Sequence, residues 1–127
     1  MAYFNKATPF LGTNDIQRAI DFYTGVLGFR IESLDPPNAP TFCILDNGDV
    51  SIIFDATLWP EQPRMTGQIH FNVAGIDELY GQVKTTTEIL WGPETFDYGK
   101  REFSCKDPHG YALVFSESTR LTSSDSV

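Results

Sequence analysis

The chain has 127 residues, 41% hydrophobic and 13% aromatic, with a formal net charge of −8. That is enough apolar material for one domain or two small repeats sharing a core. No apolar run approaches the roughly 18 residues of a membrane span, and the acidity argues against nucleic acid and anionic membranes as partners while suiting a cationic small molecule.

Residues 7–13 read as a first strand, with Thr8, Phe10 and Gly12 on one face. Asn14 or Asp15 then caps a helix in which Ile16, Ala19, Ile20, Tyr23, Val26 and Leu27 form one apolar stripe, and Gly28 suits its end. A second strand spans 29–34 and is broken by Asp35-Pro36-Pro37. Strands 41–45 and 50–55 flank the hairpin signal Asn47-Gly48. Residues 56–66, with Trp59, Pro60 and Pro63, read as a linker.

The pattern then restarts. Residues 68–73 are a strand with Gln68, His70 and Asn72 on one face. Ile76, Leu79, Tyr80 and Val83 mark a shorter helix that opens near Gly75 or Asp77. Residues 88–91 are a strand, and 92–100 an aromatic-bearing loop. Asp107-Pro108-His109-Gly110 is a tight turn between two strands, with Phe103 and Cys105 apolar at period two before it and Leu113 and Phe115 sharing one face after it. His109 is expected in an exposed, inert position. Residues from 118 onward read as a polar tail.

An offset of 60 carries Phe10 onto His70, Asp15 onto Gly75 and Tyr23 onto Val83. The expected organisation is one α+β domain over residues 1–117, built from two βαβββ modules of about 5–56 and 66–117. One helix covers one face of a four-stranded sheet, so the other faces are expected to pair into a cup or partly open barrel. That surface would carry Thr8, Phe10, Ser51, Ile53, Asp55, Gln68, His70, Asn72, Glu102, Ser104, Ala112 and Val114. Strand faces this mixed in polarity usually line a ligand site. Cys43 and Cys105 lie within strands and read as reduced core thiols, which with the lack of a signal peptide points to the cytoplasm.

The segments NDIQRAIDFYTGVLGF, AGIDELY and GKREFSCKDPHGYALVF resemble the vicinal oxygen chelate superfamily of glyoxalases, bleomycin-resistance proteins and extradiol dioxygenases. The resemblance implies the glyoxalase/bleomycin-resistance fold, often completed by a homodimer. It also implies metal-ligand positions that fall here on Thr8, Ile53, Gln68 and Val114. Of these only Gln68 keeps a suitable donor, and a divalent metal needs at least three, so neither metal nor other cofactor is expected, and no catalytic residue is assigned. His70, two residues past its slot, reads as a pocket histidine.

The bleomycin-resistance branch looks nearest, through DVSIIFDA, GIDELYGQV and REFSCKDPHGYALVF. Where that branch has a Trp-Gly-Arg-Glu-Phe run, this chain has Tyr98-Gly99-Lys100-Arg101-Glu102-Phe103. The added Lys100 argues against bleomycin itself as ligand. The expected function is non-catalytic binding of an aromatic, cationic molecule through Phe10, Phe42, Asp55, Trp59, Gln68, His70, Trp91, Tyr98, Glu102 and Ser104. The alternative is a lyase, dioxygenase or isomerase with an altered or absent metal site.

Overall fold

The computed structural model describes residues 2, 4, 6–57 and 68–119. The chain divides into two compact units, Met1–Pro63 and Arg64–Val127. Each holds a four-stranded mixed sheet and one helix, and neither sheet closes into a barrel.

In the first unit the elements are β1 (Phe10–Gly12), α1 (Ile16–Gly25), β2 (Arg30–Asp35), β3 (Phe42–Asn47) and β4 (Val50–Asp55), and the sheet order is β1-β4-β3-β2. Strand β1 is shorter than the expected 7–13, so Thr8 precedes it. Asp15 is the N-cap: its carboxylate accepts from Arg18 N at 3.1 Å, while its own N–H donates to Thr13 Oγ1 at 3.0 Å. The apolar stripe of α1 buries as the 3.6-residue period requires and also takes in Phe22. Tyr23 is fully buried, with its ring 5.1 Å from Phe54 and 5.6 Å from Phe29, and Cys43, Leu45 and Ile52 of the sheet are fully buried as well. Each such side chain contributes about 1.5–3 kcal/mol of apolar burial.

In the second unit the elements are β5 (Gln68–Asn72), α2 (Ile76–Val83), β6 (Ile89–Phe96), β7 (Lys100–Lys106) and β8 (Ala112–Ser118), ordered β5-β8-β7-β6. Ile76 and Val83 of α2 are buried, and Tyr80 meets Phe103 edge-on at 5.5 Å. Behind them Phe103, Phe115 and Phe71 form a stacked row at 5.0 and 5.4 Å. Gly75, the N-cap of α2, has a left-handed backbone (φ +79°) and no side chain to offer. The Glu117 carboxylate on β8 takes that role, accepting from Gly75 N at 2.9 Å and Ile76 N at 3.1 Å.

Two sequence expectations change here. The expected loop over 92–100 shrinks to a turn at 97–99: β6 runs on to Phe96 by absorbing two register shifts, one across Ile89/Trp91 and one across Trp91/Glu94, and Lys100 opens β7. Gly92 makes the second shift workable, because at φ +78° it lies so close to the Glu102 carbonyl and Phe103 Cα that a Cβ would collide with both. His109 is not exposed but 5% accessible. Asp107 draws the turn inward, its carboxylate accepting from His109 N and Tyr111 N at 2.9 Å each. The expected linker around Trp59 and most of the polar tail lie outside the described residues; Ser118 belongs to β8, and Thr119 N donates to Gly99 O at 3.0 Å. Among the described residues no helix is long and apolar enough to cross a membrane.

Candidate functional site

Strand register determines which side chains stand together on the face of each sheet that the helix leaves uncovered. Directly paired residues share a face, with Cβ atoms roughly 5 Å apart. In the second unit one row across the sheet is Asn72–Ser116–Glu102–Glu94, and the next is His70–Val114–Ser104–Trp91. Lys100 and Phe96 pair beyond the first row. In the first unit the matching rows are Gly12–Asp55–Phe42–Asp35 and Phe10–Ile53–Ile44–Ser33.

The second unit holds six of the expected site residues: Gln68, His70, Trp91, Tyr98, Glu102 and Ser104. Glu102 is 7% exposed, and Ser104 is buried with its hydroxyl donating to Leu113 O at 2.8 Å. Tyr98 donates its hydroxyl to Glu102 Oε1 at 2.5 Å, and this bond to a carboxylate pushes the phenol up to about 12. The Tyr98 ring stacks parallel on Phe96 at 5.2 Å, and Phe96 meets Trp91 edge-on at 6.1 Å. Trp91 and Tyr98 stay exposed. The result is a three-ring aromatic edge beside a buried carboxylate. Gln68 and His70 are exposed on β5, with His70 paired to Val114, two strands away from Ser104 and not in the row of Glu102.

The remaining expected residues lie in the first unit or outside the description. Phe10 and Phe42 are neighbours, with ring centroids 6.3 Å apart. Asp55 is half-buried, and its Oδ1 is occupied by Thr57, which donates from both backbone N and hydroxyl at 2.7 Å. Trp59 is outside the described residues.

Ion pairing sharpens the difference between the two carboxylates. Among the described residues the one salt bridge is Arg101–Asp77, 2.9 Å, on the helix side of β7. Among the described residues, Glu102 therefore sits buried with one neutral hydrogen-bond donor and no cation. Burying an unpaired charge is costly, so this is the position in the unit with most to gain from a cationic ligand.

Sequence reasoning did not list Ser116 among the site residues. Its Oγ is buried without a hydrogen-bond partner, directly across from Glu102. Strand parity puts it on the same face as Val114, two residues before it. Glu94 could not be placed from sequence, because two register shifts separate it from the start of β6.

The residues do not fit a divalent metal. Thr8 is in the exposed segment before β1, Ile53 and Val114 are hydrocarbon, and Gln68 alone offers an amide. No group of three His, Cys, Asp or Glu side chains converges among the described residues. The thiols do not change this. Cys43 and Cys105 are free and buried, and burial pushes them up to about 11 and about 12 respectively, with Asp107 adding to the shift at Cys105.

Residues 4–115 match the Glyoxalase/Bleomycin resistance protein/Dioxygenase superfamily. Comparison with curated protein sequences gives no significant match. Among solved structures, TioX from Micromonospora sp. ML1 is 21% identical with a TM-score of 0.77, covering 91% of this chain and 99% of that one. TnmS3, an antibiotic binding protein from Streptomyces sp. CB03234, is 18% identical with a TM-score of 0.75 and coverage of 93% and 98%. A superfamily member from Sphaerobacter thermophilus DSM 20745 is 24% identical with a TM-score of 0.70 and coverage of 93% and 98%.

Proposed function

We propose a small-molecule binding role for this chain, which belongs to the Glyoxalase/Bleomycin resistance protein/Dioxygenase superfamily. The ligand in this reading is a planar aromatic cation, held without chemical conversion. One observation carries the proposal: Glu102 is a buried carboxylate without a counter-cation among the described residues, placed beside the Trp91–Phe96–Tyr98 edge. Flat rings stack on such an edge, and a positive charge is attracted both by the ring faces and by the carboxylate. The net charge of −8 adds long-range attraction. The same fold serves antibiotic binding in TnmS3, which is consistent with this role.

The test is calorimetric titration of an aromatic cation and its neutral isostere into wild type, Glu102→Gln and Asp55→Asn. The cation binds more tightly, and its affinity falls with salt. Glu102→Gln costs roughly 2–5 kcal/mol of cation binding. Asp55→Asn costs less, because Thr57 already occupies that carboxylate. Equal binding of the neutral compound defeats the proposal. The reading includes a homodimer, supported by Ile31 on β2 and Leu90 on β6, which remain 49% and 38% exposed on edge strands. Sedimentation at micromolar concentration checks this, and a monomer removes that part of the reading.

A further inference from the structure

Ser116 and Glu102 are paired across β8 and β7 and share the face that α2 does not cover. Ser116 is 3% exposed and Glu102 7% exposed; among the described residues Ser116 Oγ has no hydrogen-bond partner and Glu102 receives only the Tyr98 hydroxyl. A buried hydroxyl left unpaired is destabilising, and native proteins rarely keep one without a reason. An unmet hydroxyl able to accept, adjacent to an anion with a single neutral donor, describes a single complementary partner. That partner is positively charged and carries at least two hydrogens to donate.

We infer that the Glu102–Ser116 pair recognises a ligand ammonium group that still bears N–H bonds, a primary or secondary amine, and discriminates against quaternary ammonium. The inference rests on the proposed binding role and narrows its ligand class. One N–H bonds the Glu102 carboxylate and a second bonds Ser116 Oγ. A quaternary ammonium keeps the charge and the stacking on Trp91 and Tyr98, which is all that aromatic recognition of such groups requires. It has no N–H to offer, so it leaves Ser116 unpaired and satisfies Glu102 by charge alone. Charge-assisted hydrogen bonds are about twice as strong as neutral ones, so the distinction is large enough to measure. Tyr98 is a positioning residue here: its hydroxyl fixes one oxygen of the Glu102 carboxylate.

Three probes decide the matter by titration: 2-naphthylmethylammonium, its N,N,N-trimethyl analogue and 2-naphthylmethanol. Wild type binds the primary ammonium about tenfold or more tighter than the trimethyl compound. Ser116→Ala shrinks that ratio by about three- to tenfold and leaves trimethylammonium affinity within about twofold. Tyr98→Phe keeps the ring and also shrinks the ratio, a change that loss of stacking alone does not produce. Ser116→Ala also unfolds at no lower denaturant concentration than wild type, since it removes an unpaired buried group, so its binding result is read on folded protein. If both cations bind equally and better than the alcohol, or if Ser116→Ala leaves the ratio unchanged, the inference is overturned while the binding role stands. If the alcohol binds as tightly as both cations, or none of the three binds, the binding role falls and the inference with it.

Discussion

The two units have the same elements in the same order, yet they satisfy their helix N-termini in opposite ways. In the first, Asp15 caps α1 from the adjacent position in the chain. In the second, the corresponding Gly75 has nothing to offer, and Glu117 reaches α2 from β8, about forty residues away in sequence. Register explains the complementarity. Ala56 just after β4 corresponds to Glu117 on β8, since Ile53 matches Val114 in the pairing of β1 with β4 and β5 with β8. Where the strand supplies alanine the helix start supplies aspartate, and where the helix start supplies glycine the strand supplies glutamate. An unpaired helix terminus is a constraint that a fold can meet locally or through tertiary structure.

The uncovered faces differ in the same spirit. The row Gly12–Asp55–Phe42 corresponds to Asn72–Ser116–Glu102, so the carboxylate has moved from the fourth strand of one module to the third strand of the other. In the first position Thr57 occupies it; in the second it is buried and faces an unpaired hydroxyl. Duplicated architecture thus carries one carboxylate that accepts from a neighbouring turn and one whose bonded partner is the Tyr98 hydroxyl.

The largest effect that would separate the modules is at their outer strands. Strand β2 has one register shift and β6 has two. Gly92→Ala places a methyl against the Glu102 backbone at a left-handed φ and costs about 3 kcal/mol by denaturant unfolding. Glu32→Ala at the β2 shift stays within about 0.5 kcal/mol. Equal effects would show that the second shift in β6 is tolerated rather than required. The caps come next. Glu117→Ala exposes two backbone donors and costs about 2 kcal/mol, against about 1 kcal/mol for Asp15→Ala. The reverse order would mean that the long-range cap is ornamental. The smallest contrast is between the two thiols. At pH 8 both resist alkylation by at least about 100-fold relative to a free cysteine, because the thiolate is the reactive form and burial raises both groups. The rate grows with pH as the thiolate fraction rises, and Cys43 reacts before Cys105. Mass spectrometry of iodoacetamide-treated native protein checks the order.

Much of this was legible in the chain. The period-two alternation of residues 50–55 and the turn at Asp107-Pro108-His109-Gly110 determine strands whose faces the registers reproduce. The stripe from Ile16 to Tyr23 predicts the buried side of α1. What escaped depends on partners far along the chain. Gly92-Pro93 reads as a strand end, since its local chemistry is that of a breaker, and β6 continues only because β7 holds it in register. Glu117 reads as one polar strand residue among several until α2 is docked beside it. His109 reads as exposed because turns usually are, whereas Asp107 pulls this one inward. Ser116 had the right parity, but its missing partner is visible only once burial is known.

The position of Glu117 has a further consequence during biosynthesis. A ribosome releases a chain from its N-terminus, and structure forms in that order where it can. By residue 57 the first module has every strand of its sheet and both ends of its helix arrangement in hand. The second module must wait, because β8 pairs with both β5 and β7 and also brings the carboxylate that closes α2. Until that last strand emerges, β5 has no neighbour and α2 no cap. The earlier half of the protein can mature as it is made, whereas in the later half only the β6–β7 pair can form before β8 joins β5 to β7 and caps α2.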